Sequence, residues 1–422
     1  MALERPIPAV MILSGADLVL PGRILSPGTI VLDGPRIAEV TQGSRSRGDA
    51  AFLDLSNHYI VPGFIDVHVH GLEGLDTLQG GDAIRSMALR LPRFGVTAFC
   101  PTTIACSPSA LREMLRAVGA ARALPAPLAA RVLPAHLESN FINPEFNGAQ
   151  PLDCLRSPRG ASPEGEFTGA EILAEIAAAR PDVGILTIAP ELDGAIALIR
   201  DLTAHGHHVS LGHSGATYEE ALAGVDAGAR QATHLFNRMT PLNHRQPGLA
   251  AAVLEHSDVT AELICDGRHV HPAMVRVALA AKQASGIMAI TDGTAGAGLP
   301  RGARSTIGGR PITVGDVATL DDGTLAGSVL TMDRAFARLV SQMGVSLVDA
   351  ATVCATTPAR ALNLQGFGVI AAGATADLVV LDARLNVVHT FMDGSLVWSS
   401  GTAEKGAQGP NRGTPGPSGP SI

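Results

Sequence analysis

Two rhythms of apolar and polar residues divide the chain. Residues 1 to about 60 read as short strands separated by turns, as in Ala16-Asp17-Leu18-Val19-Leu20 and Gly28-Thr29-Ile30-Val31-Leu32-Asp33-Gly34. No long helical period interrupts them, which predicts a small β unit. The apolar run Ile7 to Leu13 leads straight into this alternation, so it reads as a strand rather than a leader peptide. From Val61 the rhythm changes, and apolar runs of strand length alternate with Ala-rich helical stretches. Eight such runs are legible: Ile60 to His70, Val96 to Thr103, Val132 to Glu138, Val183 to Glu191, His208 to His213, Gln231 to Asn237, Val259 to Asp266 and Ile287 to Asp292. Eight parallel strands, each followed by a helix, make an α/β fold of the (β/α)8 TIM-barrel type. One helix start is explicit, because Thr217-Tyr218-Glu219-Glu220 has the form of a capping box.

After about Leu364 short strands return, clearest in Ala376-Asp377-Leu378-Val379-Val380-Leu381-Asp382. Terminal β segments on either side of a barrel pair most economically with each other. The expected division is therefore a small β-sandwich from 1–60 and 364–400, and a barrel over 61–363. A Gly/Pro/Ser-rich tail at 401–422 is expected to be disordered.

Composition narrows the function. The formal net charge of -8 argues against a nucleic-acid partner, which favours a basic face. It leaves room for a local basic pocket. No apolar stretch reaches the ~18 residues of a membrane span. Cys100, Cys106, Cys154, Cys265 and Cys354 are scattered, odd in number and free of any C-x-x-C, which fits a reducing cytoplasm and no cysteine metal site.

The chemistry gathers at the strand ends. Strand one ends in Asp66-Val67-His68-Val69-His70, and residues i and i+2 of a strand share a face, so both imidazoles are expected in the barrel mouth. Strand three ends in Glu138, strand five in His213, strand six in His234 and strand eight in Asp292. Barrel enzymes build their sites at these ends. Taken alone, each has an ordinary structural explanation: a hydrogen-bonding His-x-His, a salt-bridging glutamate, core histidines, a turn aspartate. Six metal-capable side chains in one ring, none expected to need a loop to reach it, point instead to a divalent metal. His136, two residues before Glu138, is expected to lie deeper in a hydrogen-bonding role, and Glu191, which closes strand four, could reach the site but equally suits a structural salt bridge and is left out of the ring.

At this point the sequence resembles a known family. Pro62-Gly63-Phe64-Ile65-Asp66-Val67-His68-Val69-His70-Gly71 is similar to the opening signature of the amidohydrolase superfamily. His136-Leu137-Glu138, Leu211-Gly212-His213-Ser214, Thr233-His234-Leu235-Phe236-Asn237, Asp266-Gly267-Arg268-His269, Thr291-Asp292 and Leu325-Ala326-Gly327-Ser328 resemble, in order, the blocks of the N-acetylglucosamine-6-phosphate deacetylases. Relatives in the superfamily commonly bridge two metals with a strand-four lysine; Gly184 to Glu191 has none, and Glu138 takes that place. The resemblance implies hydrolysis of an acetamide. Glu138, His213 and His234 would hold zinc or iron(II), with His68 and His70, together with Glu138 and Asp292, available to a second ion, so one or two per subunit. The metal would bring its water to a pKa near ~7. Asp292 would act as base and then acid, and His269 would polarise the amide carbonyl. Asn237 and Arg245 match positions that hold the sugar phosphate, where an Arg fork suits the anion. Such contacts are completed across a dimer in the family, which implies a homodimer.

Three departures bear on the substrate. The family's Glu-Gly-Pro is Glu138-Ser139-Asn140 here, a phosphate-side histidine is Gln150, and a small residue is Arg238. Gly293-Thr294 also replaces an alanine-led stretch. The expected substrate is N-acetylglucosamine 6-phosphate, with Arg238 restoring the charge lost at Gln150. The alternatives are another or unphosphorylated N-acyl amino sugar and, remotely, an inactive assembly protein, although such proteins lose the ligands retained here.

Overall fold

The computed structural model of the chain describes residues 10–47, 50–159 and 165–401. The expectation for 401–422 therefore lies, but for Gly401, outside the described residues.

Eight parallel strands form the barrel: Phe64–Val69, Val96–Thr103, Ala135–Leu137, Val183–Ile188, His208–Leu211, Gln231–Ala232, Thr260–Ile264 and Ile287–Ile290. Each pairs with the next. Strand eight returns to strand one just beyond its own end. There the Asp292 amide donates to His68 O at 2.9 Å and the His70 amide to Gly293 O at 2.8 Å. The glycine after the His-x-His pair is required here, because a Cβ on Gly71 would sit 2.4 Å from both Ala295 N and Leu75 O.

The surrounding helices follow from local sequence. Pro108–Ala123 opens with Ser107 capping Ala110 N and Pro108 in the first turn, and it buries Leu111, Met114, Leu115 and Val118 on one stripe. Tyr218–Asp226 opens with both hydrogen bonds of the Thr217–Glu220 capping box. Few aromatics are needed, since Ala, Val, Leu and Ile fill the main core.

The terminal segments pair into one continuous eight-stranded sheet. Leu378–Leu381 lies antiparallel to Tyr59–Pro62, which is also paired with Val10–Leu20. The first two strands, Val10–Leu20 and Arg23–Asp33, are longer than their apolar runs suggest, because a bulge near Gly15 lets pairing continue. Strict alternation gives the sheet two dry faces. Ile60, Leu378 and Val380 join Leu13, Leu18, Ile30 and Phe391 in a core of the sheet's own, whereas Val61, Val379 and Leu381 pack into the barrel core. One element has no counterpart in the sequence reading. After strand eight a small antiparallel sheet, Arg304–Ile307, Arg310–Val314 and Ala318–Thr319, folds over the barrel mouth.

Candidate metal centre and active site

The ring of side chains assembles at the mouth, but mostly beyond the strands. Only His68 lies within one; His70 and Glu138 follow directly, and His213, His234 and Asp292 stand two residues past the last paired position. The chain turns sharply there. His213, His234 and Asp292 have φ of 48°, 29° and 49°, a left-handed region that costs a non-glycine residue about 1–3 kcal/mol. The expectation that no loop is needed is thus corrected, because the left-handed turns aim these side chains inward.

Two triads of ligand atoms result. In the first, Glu138 Oε1 lies 2.9 Å from His213 Nε2 and 2.8 Å from His234 Nε2, with the two nitrogens 3.0 Å apart. In the second, His68 Nε2 and His70 Nε2 are 3.1 Å apart and lie 3.5 and 3.2 Å from Asp292 Oδ1. Ligands about 2.0–2.1 Å from a tetrahedral ion stand about 3.3 Å from one another, so both triads have cation spacing. Protonation makes the same point. His213 Nδ1 faces Phe146 O at 2.8 Å, and a carbonyl only accepts, so Nδ1 carries the proton. Nε2 is then the nitrogen turned to Glu138, and in the neutral ring its lone pair is the one available to a cation there. The residues fit a divalent metal.

Charge is concentrated here. Burial alone would raise Glu138, yet His213 and His234 hold it well below the usual carboxylate range. Burial would depress His68, but Glu262, Asp292 and Glu138 push it up to about 10. An imidazole so avid for a proton in a ring of carboxylates is equally suited to another cation. Burial likewise raises Asp292, and His68 and His70 more than reverse it.

Glu262, on strand seven, is a residue the sequence reading missed. It is fully buried and accepts from His68 Nδ1 at 2.8 Å and Gln231 Nε2 at 2.5 Å. It thereby turns His68 Nε2 toward the cavity, the carboxylate–histidine arrangement that orients metal ligands. The available signal was an ionisable residue inside the apolar run Thr260-Ala261-Glu262-Leu263-Ile264. His136, Glu262 and His68 lie close enough to suggest a third cluster. Burial pushes His136 down to about 4, however, and the neutral ring uses both nitrogens, on Val67 O and Thr187 Oγ1 at 3.0 Å each. It has the hydrogen-bonding role expected of it. Glu191 also proves structural, accepting from Asn143 Nδ2, Gly215 N and Ser214 Oγ.

All of the ring but the fully buried His68 lines a cavity of about 80 Å³ whose walls include Gln150, Asn237, Arg238 and His269, with Ile307 and Leu325 from the region after strand eight. His269 is held by Asp266, whose Oδ2 lies 2.7 Å from Nδ1. Burial would lower His269, but Asp266 outweighs it and the pKa is raised. Arg238 folds over Gly148 at the rim. Gln150, which stands where the family has a phosphate-side histidine, lines the cavity with both ends of its amide engaged by the protein. Its Oε1 accepts from Ala105 N at 2.7 Å and its Nε2 donates to Glu138 Oε2. Ser139 and Asn140 are similarly engaged, with Thr187 O and with the Cys106 and Cys154 carbonyls. Arg245 is exposed on the following loop and does not line the cavity. A larger recess, about 860 Å³, opens beyond the Ala105 wall and contains no member of the ring.

Comparison with known proteins agrees with this geometry. The amidohydrolase family profile matches residues 59–397. The chain is 34% identical over 340 residues to N-acetylgalactosamine-6-phosphate deacetylase of Escherichia coli O157:H7, covering 80% of this chain and 87% of that one. It is 34% identical over 394 residues to N-acetylglucosamine-6-phosphate deacetylase of Rattus norvegicus, covering 90% of each. A mutant of N-acetyl-D-glucosamine-6-phosphate deacetylase from Mycobacterium smegmatis, solved in complex with N-acetyl-D-glucosamine-6-phosphate, superposes with a TM-score of 0.82 at 33% identity, covering 92% of this chain and 99% of the other. The chain belongs to the amidohydrolase family, in the branch that holds the amino-sugar-6-phosphate deacetylases.

Proposed function

We propose that this protein hydrolyses N-acetyl-D-glucosamine 6-phosphate to D-glucosamine 6-phosphate and acetate. The observation that carries the reading is the convergence of Glu138, His213, His234, Asp292 and His269 on one cavity, in a chain of this family. Glu138, His213 and His234 would hold a divalent ion, zinc or iron(II), whose chemistry suits imidazole and carboxylate. Such an ion supplies Lewis acidity and a water that ionises near neutral pH. Asp292 takes the proton from the attacking water and delivers it to the leaving amine nitrogen. His269, whose protonated form Asp266 favours, would donate from Nε2 to the amide oxygen as charge develops there. A cavity of about 80 Å³ suits the acetamide end, so the sugar and phosphate extend outward past Arg238.

The exposed loop with Arg245 borders a recess of about 250 Å³ lined by Phe236, Leu242, Val270 and Met274 together with His269 and His271. This supports a homodimer in which Arg245 reaches the partner's substrate. Among the described residues no helix is long and apolar enough to cross a membrane. The free cysteines and a phosphorylated substrate support a cytoplasmic enzyme.

The test is a comparison of kcat/KM for the phosphorylated and free sugars, repeated with Arg238→Ala and Arg245→Ala. A charge-assisted contact contributes about 1.5–3 kcal/mol, so each change should lower the value for the phosphorylated sugar roughly 10- to 100-fold. Equal values for both sugars, unmoved by either change, would replace this reading with deacetylation of an unphosphorylated sugar. The engagement of Gln150 with Glu138 favours that second reading.

A further inference from the structure

We infer that Gln150 weakens the binding of a second cation, by occupying the Glu138 oxygen nearest to it. The inference rests on the metal-site reading above and concerns a residue that reading leaves without a task.

The orientation of the Gln150 amide is fixed. The Ala105 main-chain N–H can only donate, so the group facing it is the amide oxygen, and the NH2 end faces Glu138 Oε2. The side chain has little freedom to turn away. Gln150 is 3% exposed, its own N–H donates to Asn147 O at 3.0 Å, and its carbonyl accepts from Asn147 Nδ2 at 2.8 Å. Glu138 is therefore divided. Oε1 faces His213 and His234, whereas Oε2 meets the amide of Gln150.

This division makes the two triads unequal. The first contains a carboxylate oxygen with no competing donor other than its two histidines. The second contains His68, His70 and Asp292, and the Glu138 oxygen nearest to it is Oε2, 3.5 Å from His70 Nε2, whereas Oε1 lies 3.8 Å from His68 Nε2 and already faces His213 and His234. An N–H already directed at that oxygen competes with a cation for it. A charge-assisted hydrogen bond of this kind is equivalent to roughly a 10- to 100-fold change in an equilibrium constant. The protein as it stands should bind one ion tightly through Glu138, His213 and His234. A second should bind more weakly, through His68, His70 and Asp292.

The experiment measures zinc stoichiometry and both dissociation constants in wild type, Gln150→Met and Gln150→Ala. Met keeps the bulk and Ala leaves room for water, so the pair guards against one variant being merely misfolded; thermal melting checks both. Cobalt(II) substitution adds a spectroscopic reading, since two ions sharing a carboxylate couple magnetically. The expected result is an unequal pair of constants in wild type. The weaker one should tighten 10- to 100-fold in both variants, with the first nearly unchanged and with coupling appearing in the dicobalt form. Two equally tight ions in wild type, or a second constant unmoved in both variants, would overturn the inference while leaving the metal-site reading intact. Absence of tight zinc from wild type, or its full retention in Glu138→Gln, would instead sink the reading on which the inference rests.

Discussion

The terminal sheet and the barrel mouth bury comparable side chains under opposite rules. Along the sheet's strands local preference agrees with the whole: Leu378 and Val380 face one core, Val379 and Leu381 the other, and left-handed residues such as Leu385 and Asp393 are confined to the turns. In the mouth, the ligand positions His213, His234 and Asp292 themselves hold left-handed backbone, and Glu138, Glu262 and Asp292 are buried within one cluster of histidines. Regions that break local rules are where a protein trades stability for chemistry. The sheet should therefore govern whether the chain folds, and the mouth whether it reacts.

The largest separation is expected at Asp292. Asp292→Asn keeps the shape but cannot take the proton, so kcat should fall about 100- to 10,000-fold. Stability should fall only modestly, because Asn keeps the shape while the charge that pairs with His68 and His70 is lost. A variant with near wild-type kcat removes Asp292 from the mechanism. One that melts far lower erases the distinction between the regions.

Phe391→Ala is the converse. Phe391 is fully buried in the sheet's own core, on strand Val387–Met392. Truncating such a side chain costs about 3–5 kcal/mol. Denaturation should show that loss, while kcat and metal content per folded chain stay as they were. A matching fall in kcat per folded chain would mean that the sheet helps to shape the site.

Glu262→Gln tests the border between the two behaviours, a buried group that acts only through His68. Glu262 accepts from both His68 Nδ1 and Gln231 Nε2, and an amide cannot accept at both ends. Such partners typically alter metal affinity about 10- to 100-fold. The loss should appear in binding of the ion nearest His68, with thermal stability changed much less. Unaltered metal binding would make Glu262 a packing residue.

How much of this was legible follows the same divide. Alternation alone revealed the strands at both ends, because a one-residue slip would turn every side chain to the wrong face. It understated Val10–Leu20 and Arg23–Asp33, since pairing continues through a bulge that the pattern conceals. The eight barrel runs and the ring of His68, His70, Glu138, His213, His234 and Asp292 were legible because barrel topology sends strand ends to one place. Strand six was read as seven residues where only Gln231–Ala232 pairs, because the chain turns inward at His234. Partnerships were not legible. Glu262 meets His68 across 194 positions, and Gln150 meets Glu138 through a loop whose course no local signal fixes. The sheet at Arg304–Thr319 was overlooked because its strands are short and polar, with Arg304 and Arg310 among their few residues.

The smallest expected effect is a shift in pH dependence at Asp266. Burial would lower the pKa of His269, but the hydrogen bond and charge of Asp266 raise it above the ordinary imidazole value. The protonated form therefore persists to higher pH, and a reaction needing it should decline only as pH rises through that raised value. Asp266→Asn removes the charge while leaving an oxygen to accept from the Arg268 and His269 amides, which donate at 2.8 Å each. The loop should keep its course. The Asn amide would then present N–H to His269 Nδ1, a nitrogen that can accept only when unprotonated, so the imidazolium loses its partner. The alkaline limb of kcat should move to lower pH, with metal content and melting temperature little changed. If the limb stays in place while kcat falls evenly at all pH values, His269 acts by position alone and its proton has no part in polarising the amide.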